Sequence, residues 1–429
     1  MSREESIDPI VKHPAAFGAD TLAWAASLTR RGHDLPDALE VAAAADVGQT
    51  PNEVVHRENK LTLHRYDPPD GPTQAIPILV AYALINRPYI LDLQPDRSVI
   101  RRLRDAGFVV YLIDWGEPSR LDRSLGLADY VTWYLDRCVN ILRDEQDVPT
   151  VNLLGYCMGG TMSAMYAALF PEKVNALGLM AAGLAFDDTG GVLELWGNDE
   201  YFEPNAVVEQ FGNVPGEFLD AGFAMMNPID NVIAKYVTLA DNIDDEDFVA
   251  NFTRMEQWLR DGIDVSGRAF VEFVTWIYQE NRLAEGTLEL DGMTVDPEAI
   301  EMPVLQIIGE YDHLIPPESS TPFNEIVGSD DVTTNTFSTG HIGLSVSSRS
   351  HKTLWPEVCT WFAERSEPGA ARLETIDGIG DAYAQRLAAA GITDVESLAA
   401  ADVDELAASV AIPRQRLESF IADAADRME

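Results

Sequence analysis

Five residues near the middle of the chain constrain its fold more than any other stretch. Gly155 to Gly159 read G-Y-C-M-G, follow the apolar run 151–154 and precede a stretch of small residues, 160–164, that favours a helix. A strand, a sharp turn and a helix in immediate succession need glycines beside the turn, because a residue without a Cβ lets the strand and the helix pack closely. The pattern therefore predicts that Cys157 lies at a strand-to-helix turn, at the N-terminus of the helix.

This construction is that of the nucleophile elbow of the α/β-hydrolase fold, with cysteine where most such enzymes have serine. The positive end of the helix dipole favours the thiolate form of Cys157, which is the reactive form. Such a nucleophile suits the exchange of acyl groups between thioesters. The alternative is an inert buried cysteine, the usual state of a free cysteine, but the flanking glycines favour the nucleophile.

Apolar runs alternate with amphipathic helices on both sides of the elbow, which indicates a mostly parallel sheet covered by helices. A hairpin is predicted first, over residues 52–66. The predicted strands that follow are 76–84, 108–113, 151–156, 176–180, 304–308 and 334–337, and the predicted helices include 98–106, 127–143 and 161–169. We therefore expect the α/β class, with an α/β-hydrolase fold.

The alternation stops between about 184 and 300, where the sequence is helical and rich in aromatic residues and methionine. Hydrolase folds carry a lid or cap over the active site at this point, and we predict a helical cap insertion. Its apolar side chains either line a substrate tunnel or form the core of the cap itself. For most of these residues the core is favoured.

Composition divides the rest of the chain into further parts. Residues 1–50 are alanine-rich and predict an N-terminal helical segment, and residues 51–365 predict the catalytic domain. The stretch 366–370, Ser-Glu-Pro-Gly-Ala, is typical of a linker. Residues 371–429 then predict a separate small all-α domain.

A cysteine nucleophile needs a base, and the base needs an acid to orient it. In α/β-hydrolases the chain order is nucleophile, acid, histidine. Asp312 lies in the loop directly after the predicted strand 304–308, and His341 lies in the loop after the last strand, so we predict them as acid and base. Glu310 is the fallback for the acid. His313 is the chief competitor for the base, although it shares the acid's own loop.

The tetrahedral intermediate of acyl transfer carries an oxyanion that backbone N–H groups stabilise. In this fold one donor is the residue after the nucleophile, and the second comes from the loop after the strand predicted at 76–84. The predicted donors are therefore Met158 and a residue near Ile85 or Asn86. We expect no metal site, because the sequence has neither a CxxC pair nor a zinc-ligand spacing.

The charge of the chain is extreme, with 71 acidic against 30 basic residues and a net charge of −41. The acidic residues are spread along the whole chain, and lysine is scarce among the basic ones. This pattern is typical of proteins that work in molar salt, where the Debye length is about 3 Å and self-repulsion is screened. We infer a halophilic host and expect it to be a haloarchaeon. The alternative is an ordinary acidic cytosolic protein.

The sequence also bears on the compartment. Three cysteines are too few and too scattered for a disulfide framework. The N-terminus lacks the charged and apolar regions of a signal peptide. No uncharged apolar run reaches the roughly 18 residues of a membrane-spanning helix. We expect a cytoplasmic protein whose contact with any membrane or granule is peripheral.

Four segments resemble the polyhydroxyalkanoate synthases, in particular the class III catalytic subunit. The segments are YALINRPYILDLQPDRS at 82–98, YLIDWG at 111–116, the elbow at 155–159 and GHIG at 340–343. The resemblance covers roughly residues 50–365 and is specific, because the long first segment and a cysteine elbow seldom occur together elsewhere. Class III members typically have glutamine at the position of Met158, and residues 371–429 lie outside the usual family pattern.

The resemblance implies polymerisation of a 3-hydroxyacyl-CoA, with 3-hydroxybutyryl-CoA and 3-hydroxyvaleryl-CoA as expected substrates, and release of CoA. It implies that Cys157 carries the acyl group as a thioester and that His341 deprotonates Cys157. Asp312 would orient His341 or help to activate the incoming 3-hydroxyl. The CoA thioester is a substrate, so no cofactor is expected. The family further implies a second synthase subunit and attachment to a polyhydroxyalkanoate granule, and it leaves a homo-oligomer open.

Two other functions fit parts of the sequence. A cysteine thioesterase or polyhydroxyalkanoate depolymerase-like hydrolase would release the acyl group to water, but the cysteine and the segment 82–98 argue against it. Residues 376–387 resemble a helix-hairpin-helix unit, a family in which a Gly-x-Gly turn approaches nucleic-acid phosphates. However, residues 371–429 carry five arginines and twelve acidic residues, and phosphate binding needs cations. We therefore expect attachment to protein or granule rather than to nucleic acid.

The net charge of −41 predicts how stability depends on salt. Because self-repulsion is unscreened at low ionic strength, we expect the thermal unfolding midpoint and the activity to rise together from about 0.1 M to molar KCl. Circular dichroism and turnover at matched KCl concentrations test this expectation. A protein that is equally stable and active in dilute buffer would refute the halophilic interpretation.

Overall fold

A mostly parallel sheet organises the larger part of the molecule. The computed structural model describes residues 46–226, 235–366 and, towards the C-terminus, 373, 376, 378–392 and 395–426. The strands of the sheet, labelled β1 to β8, are Glu53–Glu58, Leu61–Tyr66, Ile78–Ala81, Val110–Asp114, Val151–Tyr156, Val174–Met180, Val304–Gly309 and Val332–Phe337. Short two-stranded ladders join Asp92–Gln94 to Arg97–Ser98 and Glu289–Leu290 to Met293–Thr294.

The strands lie side by side in the order β1-β2-β4-β3-β5-β6-β7-β8. β1 and β2 form an antiparallel hairpin, β2 pairs antiparallel with β4, and the remaining neighbours are parallel. β5 and β7 are buried along their whole length, as expected for parallel strands covered on both faces. The prediction of an α/β-hydrolase fold is confirmed.

Among the strands after the hairpin, all except β5 differ from their predicted bounds by one to three residues at an end, and β3 differs most. β3 spans only Ile78–Ala81 rather than 76–84. The chain leaves the sheet after Ala81 because its backbone meets other partners: the Tyr82 carbonyl accepts a hydrogen bond from the indole N–H of Trp115 at 2.8 Å. β8 begins at Val332, before the predicted start at 334, and it lies at the edge of the sheet, where its side chains are only partly buried.

The helices of the core surround this sheet. They are Val99–Asp105, Asp136–Gln146, Met158–Leu169, Gly343–Val346 and Trp355–Glu364, with a π-helical turn at Asp129–Leu135, another at Ser350–Leu354, and short 3₁₀ turns at Pro88–Leu91, Pro171–Lys173, Pro297–Ala299, Pro317–Ser319 and Thr321–Glu325. The first helix, predicted over 98–106, begins at Val99, because Ser98 is its N-cap and its hydroxyl accepts the N–H of Arg101 at 3.0 Å. The helix predicted at 127–143 instead starts as a π-helical turn and continues to Gln146.

Helices also fill the described part of the stretch between β6 and β7 that the sequence predicts as a cap, about 184–300. They are Val192–Gly197, Pro204–Phe211, Gly216–Met226, Lys235–Asp241, Glu246–Arg260 and Gly267–Phe273, followed by a π-helical turn at Val274–Gln279. Two hydrogen bonds tie this region to the core. The indole of Trp258 donates to the Arg87 carbonyl at 2.9 Å, and the Leu127 N–H donates to the buried carboxylate of Glu272 at 2.7 Å.

The described residues form two separate hydrophobic cores. The larger core contains the sheet and its helices, whereas the smaller one contains Leu387, Leu398, Leu417 and their neighbours. The C-terminal helices around the smaller core are Asp381–Ala389, Val395–Ala399, Val403–Ser409 and Arg414–Asp426. A small all-α C-terminal region was predicted and is confirmed, while the boundaries given for the domains remain predictions.

Residues 1–45 of the predicted N-terminal helical segment, 1–50, lie outside the described residues, and residues 46–50 form neither helix nor strand. The buried carboxylate of Asp92 fixes the start of the described chain to the core, since it accepts the backbone N–H of Thr50 at 3.0 Å and its hydroxyl at 2.6 Å. In the described part of the chain, no helix combines the length and the apolar character needed to cross a bilayer.

The contact of Gly159 with the end of β3 predicts a strict size limit. A Cβ at Gly159 would lie 2.3 Å from the Ala81 carbonyl oxygen and 2.6 Å from the Tyr82 carbonyl carbon, so backbone would have to move. We expect Gly159→Ala to lower the free energy of unfolding by about 2 kcal/mol or more. Urea unfolding in molar KCl, followed by circular dichroism, measures the change.

Gly222→Ala is the matched control, because Gly222 lies inside the helix Gly216–Met226 and a Cβ there would meet no atom within 4 Å. This variant should be neutral or gain up to about 1 kcal/mol, since alanine favours a helix over glycine. Equal effects of the two substitutions would contradict the assigned role of Gly159.

Candidate active site

The turn between β5 and the helix Met158–Leu169 holds the backbone of Cys157 in a strained conformation. Its φ is 56° and its ψ is −129°, which is unusual for a residue with a Cβ. The Cys157 N–H donates to the Met180 carbonyl at 2.9 Å, and the Cys157 carbonyl accepts the N–H of Gly160 at 2.8 Å and of Thr161 at 3.2 Å. These bonds start the helix at Met158, ahead of the predicted start at 161, and hold Cys157 at its N-terminal end.

Glycines let the turn close. A Cβ at Gly155 would lie 2.5 Å from the Cα of Gly160, and one at Gly160 would lie 2.6 Å from the Cβ of Ala182. The side chain of Cys157 is partly exposed, whereas Cys138 and Cys359 are buried. Burial raises the pKa of Cys138 far above its usual range and that of Cys359 to about 12, so these two thiols are unreactive near neutral pH.

Asp312 and His341 meet at the carboxyl ends of β7 and β8. The Nδ1 atom of His341 lies 2.6 Å from a carboxylate oxygen of Asp312, and both side chains are buried. The other oxygen of Asp312 accepts the N–H groups of Leu314 and Ile315, each at 3.0 Å. The carboxylate is therefore fixed by two backbone donors and aligns the imidazole through Nδ1, which leaves Nε2 as the ring atom available to a thiol.

The surroundings of His341 favour its charged form. Burial by itself would lower the pKa of His341, but Asp312, Tyr156 and Cys157 raise it, and the balance places the pKa well above the ordinary value of 6.5. The imidazolium therefore persists to higher pH than in a free histidine. An imidazolium next to a cysteine stabilises the thiolate, so the arrangement suits an ion pair of His341 with Cys157.

Tyr156 contacts both the ring and the backbone of His341. Its ring lies against the ring of His341, with centroids 5.4 Å apart and an interplanar angle of 27°. Its hydroxyl donates to the His341 carbonyl at 3.1 Å. The residue before Cys157 thus positions His341, which sequence reasoning missed because that residue is one of the variable positions in the elbow motif.

The competing residues lie elsewhere. The carboxylate of Glu310 accepts a hydrogen bond from the exposed hydroxyl of Ser338 at 2.5 Å and does not hold His341. The side chain of His313 is exposed. Of the alternatives that the sequence left open, the geometry brings together Asp312 and His341.

The predicted oxyanion donors lie on the expected elements. Met158 is the first residue of the elbow helix, where N–H groups have no acceptor within the helix. Ile85 and Asn86 lie in the loop after β3, and Asn86 has a φ of 64°. Among the described residues, the buried Oδ1 of Asn86 has no hydrogen-bond partner. The assignment of Met158 and Ile85 as donors stays a prediction.

The described residues contain no group of three His, Cys, Asp or Glu side chains that could hold a metal ion. The polar groups at the site are thus a thiol, an imidazole, a carboxylate and backbone amides. This set can form a covalent acyl intermediate, transfer one proton and stabilise an oxyanion.

The sequence matches three known families. Residues 77–344 match the family described as "alpha/beta hydrolase fold", and residues 23–103 match "Poly-beta-hydroxybutyrate polymerase (PhaC) N-terminus". Residues 370–426 match "SAM-like Helix-hairpin-helix tandem".

Several relatives are similar over most of the chain. The poly(3-hydroxyalkanoate) polymerase subunit PhaC of Haloferax mediterranei is 51% identical over 475 aligned positions, which cover 94% of this chain and 96% of that protein. The protein of the same name from Haloarcula marismortui is 51% identical over 436 positions, covering 89% and 92%. That from Allochromatium vinosum is 42% identical over 326 positions, covering 76% and 91%.

A solved structure from Sulfolobus solfataricus, described as a candidate lipase, has a TM-score of 0.50 at 16% identity. It covers 74% of this chain and 98% of its own. This likeness concerns the fold alone.

The contact between Asp312 and His341 predicts the reactivity of Cys157. Asp312→Asn removes a charge that raises the pKa of His341, so the imidazolium, and with it the thiolate, will be less populated near pH 6 to 7. We expect iodoacetamide to alkylate Cys157 roughly 10–100 times more slowly in this variant. Mass spectrometry of the labelled peptide gives the rate.

Asp331→Asn is the control for this measurement. It breaks an ion pair with Arg365 at the surface, 2.9 Å long, and touches no residue of the site. The control should label at the wild-type rate. Equal labelling of wild type and Asp312→Asn across this pH range would show that the carboxylate does not control the charge of His341.

Proposed function

The chain belongs to the poly(3-hydroxyalkanoate) polymerases, and from that premise we propose that it polymerises 3-hydroxyacyl-CoA through a thioester on Cys157, with release of CoA. The observation that carries the mechanism is the Asp312–His341 contact of 2.6 Å at the strand ends that adjoin the elbow. We propose 3-hydroxybutyryl-CoA and 3-hydroxyvaleryl-CoA as the substrates. The CoA thioester supplies the activated acyl group, so the proposal needs no cofactor.

In the first step the thiolate of Cys157 attacks the thioester carbonyl carbon. A carbon–sulfur bond forms, and the carbonyl oxygen becomes an oxyanion that the N–H groups of Met158 and Ile85 stabilise in this proposal. The bond to the CoA sulfur then breaks, and the imidazolium of His341 gives its proton to the leaving thiolate. The step exchanges one thioester for another, so its free-energy change is small.

In the second step the hydroxyl of another 3-hydroxyacyl unit attacks the thioester on Cys157. A carbon–oxygen bond forms, the bond to Cys157 breaks, and His341 takes the hydroxyl proton. Asp312 orients His341 and stabilises the imidazolium, and it is also the candidate to assist the incoming 3-hydroxyl. Repeated loading and transfer lengthen the ester chain.

The alternative is release of the acyl group to water, as in a cysteine thioesterase or a depolymerase-like hydrolase. The same three residues could perform that reaction. Cysteine at the elbow favours transfer, because a thioester is more reactive towards an attacking hydroxyl than the oxygen ester that serine would form. The names of the relatives favour polymerisation as well.

We further propose a second subunit and attachment to the polymer granule in the cytoplasm. The relatives are named as subunits of a polymerase, which supports a partner chain. The predicted cap exposes large apolar side chains, among them Trp196, Phe211 and Phe218, which supports contact with an apolar surface. A homo-oligomer would use the same kind of surface. Nucleic acid is not part of the proposal.

Replacement of the nucleophile tests this mechanism. In molar KCl with 3-hydroxybutyryl-CoA, and with and without the second subunit, we expect Cys157→Ala to lose at least 10³-fold in CoA release and to form no polymer. Cys138→Ala, which removes a buried thiol, should keep most of the activity. A thiol reagent measures CoA release, and the products are separated into polymer and free 3-hydroxy acid.

The product distinguishes the two reactions. Wild-type enzyme should convert the released acyl groups to polymer and carry an acyl group on Cys157 in intact-mass spectra. Normal turnover by Cys157→Ala would rule out the covalent mechanism, and free 3-hydroxy acid as the main product would favour the hydrolase.

A further inference from the structure

One tyrosine of the predicted cap is held rigidly at the boundary between cap and core. The ring of Tyr278 packs edge-on against Phe186, with centroids 4.8 Å apart, and against Phe273, with centroids 5.3 Å apart. Behind it, a Cβ at Gly197 would lie only 3.5 Å from the Tyr278 side chain. The ring therefore has little freedom to turn away.

The backbone of Tyr278 is fixed by an unusual turn. The residue lies in the π-helical turn Val274–Gln279, which closes with a hydrogen bond from the Glu280 N–H to the Thr275 carbonyl at 2.9 Å. The next residue, Gln279, donates its amide N–H to the carbonyls of Gly197 at 2.7 Å and Phe202 at 3.1 Å. Such turns are frequent at functional sites, where they redirect one side chain out of the helical register.

A chain of contacts connects Tyr278 to the catalytic loops. Its neighbour Phe186 lies against Gly183 and next to Ile315, since a Cβ at Gly183 would be 2.4 Å from Phe186 and 3.0 Å from Ile315. The Ile315 N–H in turn donates to Asp312. Tyr278 therefore packs on a residue that lies beside the loop of Asp312.

Phe186 also lies close to the elbow helix Met158–Leu169. It packs against Gly183, and the Gly183 carbonyl accepts a hydrogen bond from the hydroxyl of Thr161 at 2.8 Å. Burial raises the pKa of Tyr278 far above its usual range, and the nearby Cys157 raises it further. The phenol of Tyr278 is thus neutral near neutral pH, and it can donate a hydrogen bond.

The side chain of Tyr278 is partly buried, and its hydroxyl, which is not among the fully buried polar atoms, forms no hydrogen bond with any described residue. The hydroxyl is therefore free to donate to a bound molecule, and once that molecule covers it and excludes water, one that supplies an acceptor is favoured over one that does not. The thioester oxygen is directed to the backbone donors of the core, at the elbow helix and the loop after β3. If the acyl chain extends from there towards the cap, the polar atom that it presents to Tyr278 is the oxygen on the third carbon.

We propose that the Tyr278 hydroxyl donates a hydrogen bond to the 3-hydroxyl oxygen of the acyl group on Cys157, and that this contact selects 3-hydroxyacyl over unsubstituted acyl thioesters. The inference rests on the proposed function, because it places the acyl group on Cys157. An acyl group without the 3-hydroxyl leaves the phenol unpaired, and a site built around a substrate hydroxyl rejects the analogue that lacks it. Tyr278 is in this sense a specificity residue for the polymerase.

The experiment compares the first step with two substrates, 3-hydroxybutyryl-CoA and butyryl-CoA, by single-turnover CoA release in molar KCl. The wild type should prefer 3-hydroxybutyryl-CoA by roughly 10–100-fold in kcat/KM. Tyr278→Phe keeps the ring and its packing but removes the hydroxyl. It should lower kcat/KM for 3-hydroxybutyryl-CoA to near the value for butyryl-CoA and leave the latter unchanged.

Tyr201→Phe is the matched control, since Tyr201 belongs to the same predicted cap but is 77% exposed. It should leave both rates and their ratio unchanged. A loss of equal size for both substrates in Tyr278→Phe would indicate a packing role and overturn the proposal, as would an unchanged ratio.

Two further measurements keep the conclusions separate. If Tyr278→Phe unfolds at a lower temperature than the wild type, the test uses the wild-type enzyme alone. Equal kcat/KM values of the wild type for the two thioesters would contradict selection by the 3-hydroxyl. Cys157→Ala is run in parallel. If Cys157→Ala still releases CoA, the covalent mechanism is refuted and this proposal with it. If CoA release requires Cys157 but Tyr278→Phe keeps the wild-type ratio of the two kcat/KM values, only the proposal for Tyr278 is refuted.

Discussion

The strained backbone at Cys157 is the constraint on which the rest of the site depends. A residue with a Cβ at a φ of 56° and ψ of −129° lies in an unfavourable region, at a cost of about 1–3 kcal/mol. Hydrogen bonds of the Cys157 N–H and carbonyl offset this cost. Neighbouring glycines also offset it, because they let β5, the helix Met158–Leu169 and the end of β3 come into contact. Because the neighbouring strands end at the same edge of the sheet, the loops that follow them bring Asp312 and His341 to the same place.

The charges of this molecule fall into two groups that respond differently to salt. Among the described residues, few carboxylates are buried, namely those of Asp92, Glu272 and Asp312, and solvent ions screen the charge of the others. Asp312 is buried, and its charge is balanced by two backbone N–H groups and by His341. Solvent ions reach such a pair poorly, so the electrostatics of the site stay nearly constant while those of the surface change with salt.

Much of this arrangement could be predicted from the sequence. Buried parallel strands such as β5 and β7 appear as continuous apolar runs, and the elbow has a distinctive motif, so strand positions and the candidate nucleophile follow from local patterns. Asp312 could not be separated from Glu310 in the same way. The two residues share one short loop, and only its turn, which directs the Asp312 carboxylate to the N–H groups of Leu314 and Ile315, distinguishes them.

Other features have no local signal. The early end of β3 depends on Trp115 and Gly159, which are distant in sequence, and the support of His341 by Tyr156 depends on two loops meeting. Tyr278 is the clearest case, since it lies in a helical stretch whose apolar residues the sequence predicts to form the core of the cap. Its packing against Phe186 and Phe273 depends on a π-helical turn, which has no periodicity that a sequence pattern would reveal.

That turn also has a consequence for how the chain tolerates changes in length. A π-helical turn contains one residue more than the α-helical turn it replaces, and each residue of an α-helix rotates the next by about 100°. Deleting one residue within Val274–Gln279 would restore regular helix, yet it would turn Tyr278 away from Phe186 and Phe273 by that angle. The number of residues in this turn is therefore constrained as well as their types. Inserting or deleting one residue here would disturb the packing of Tyr278 more than most substitutions would.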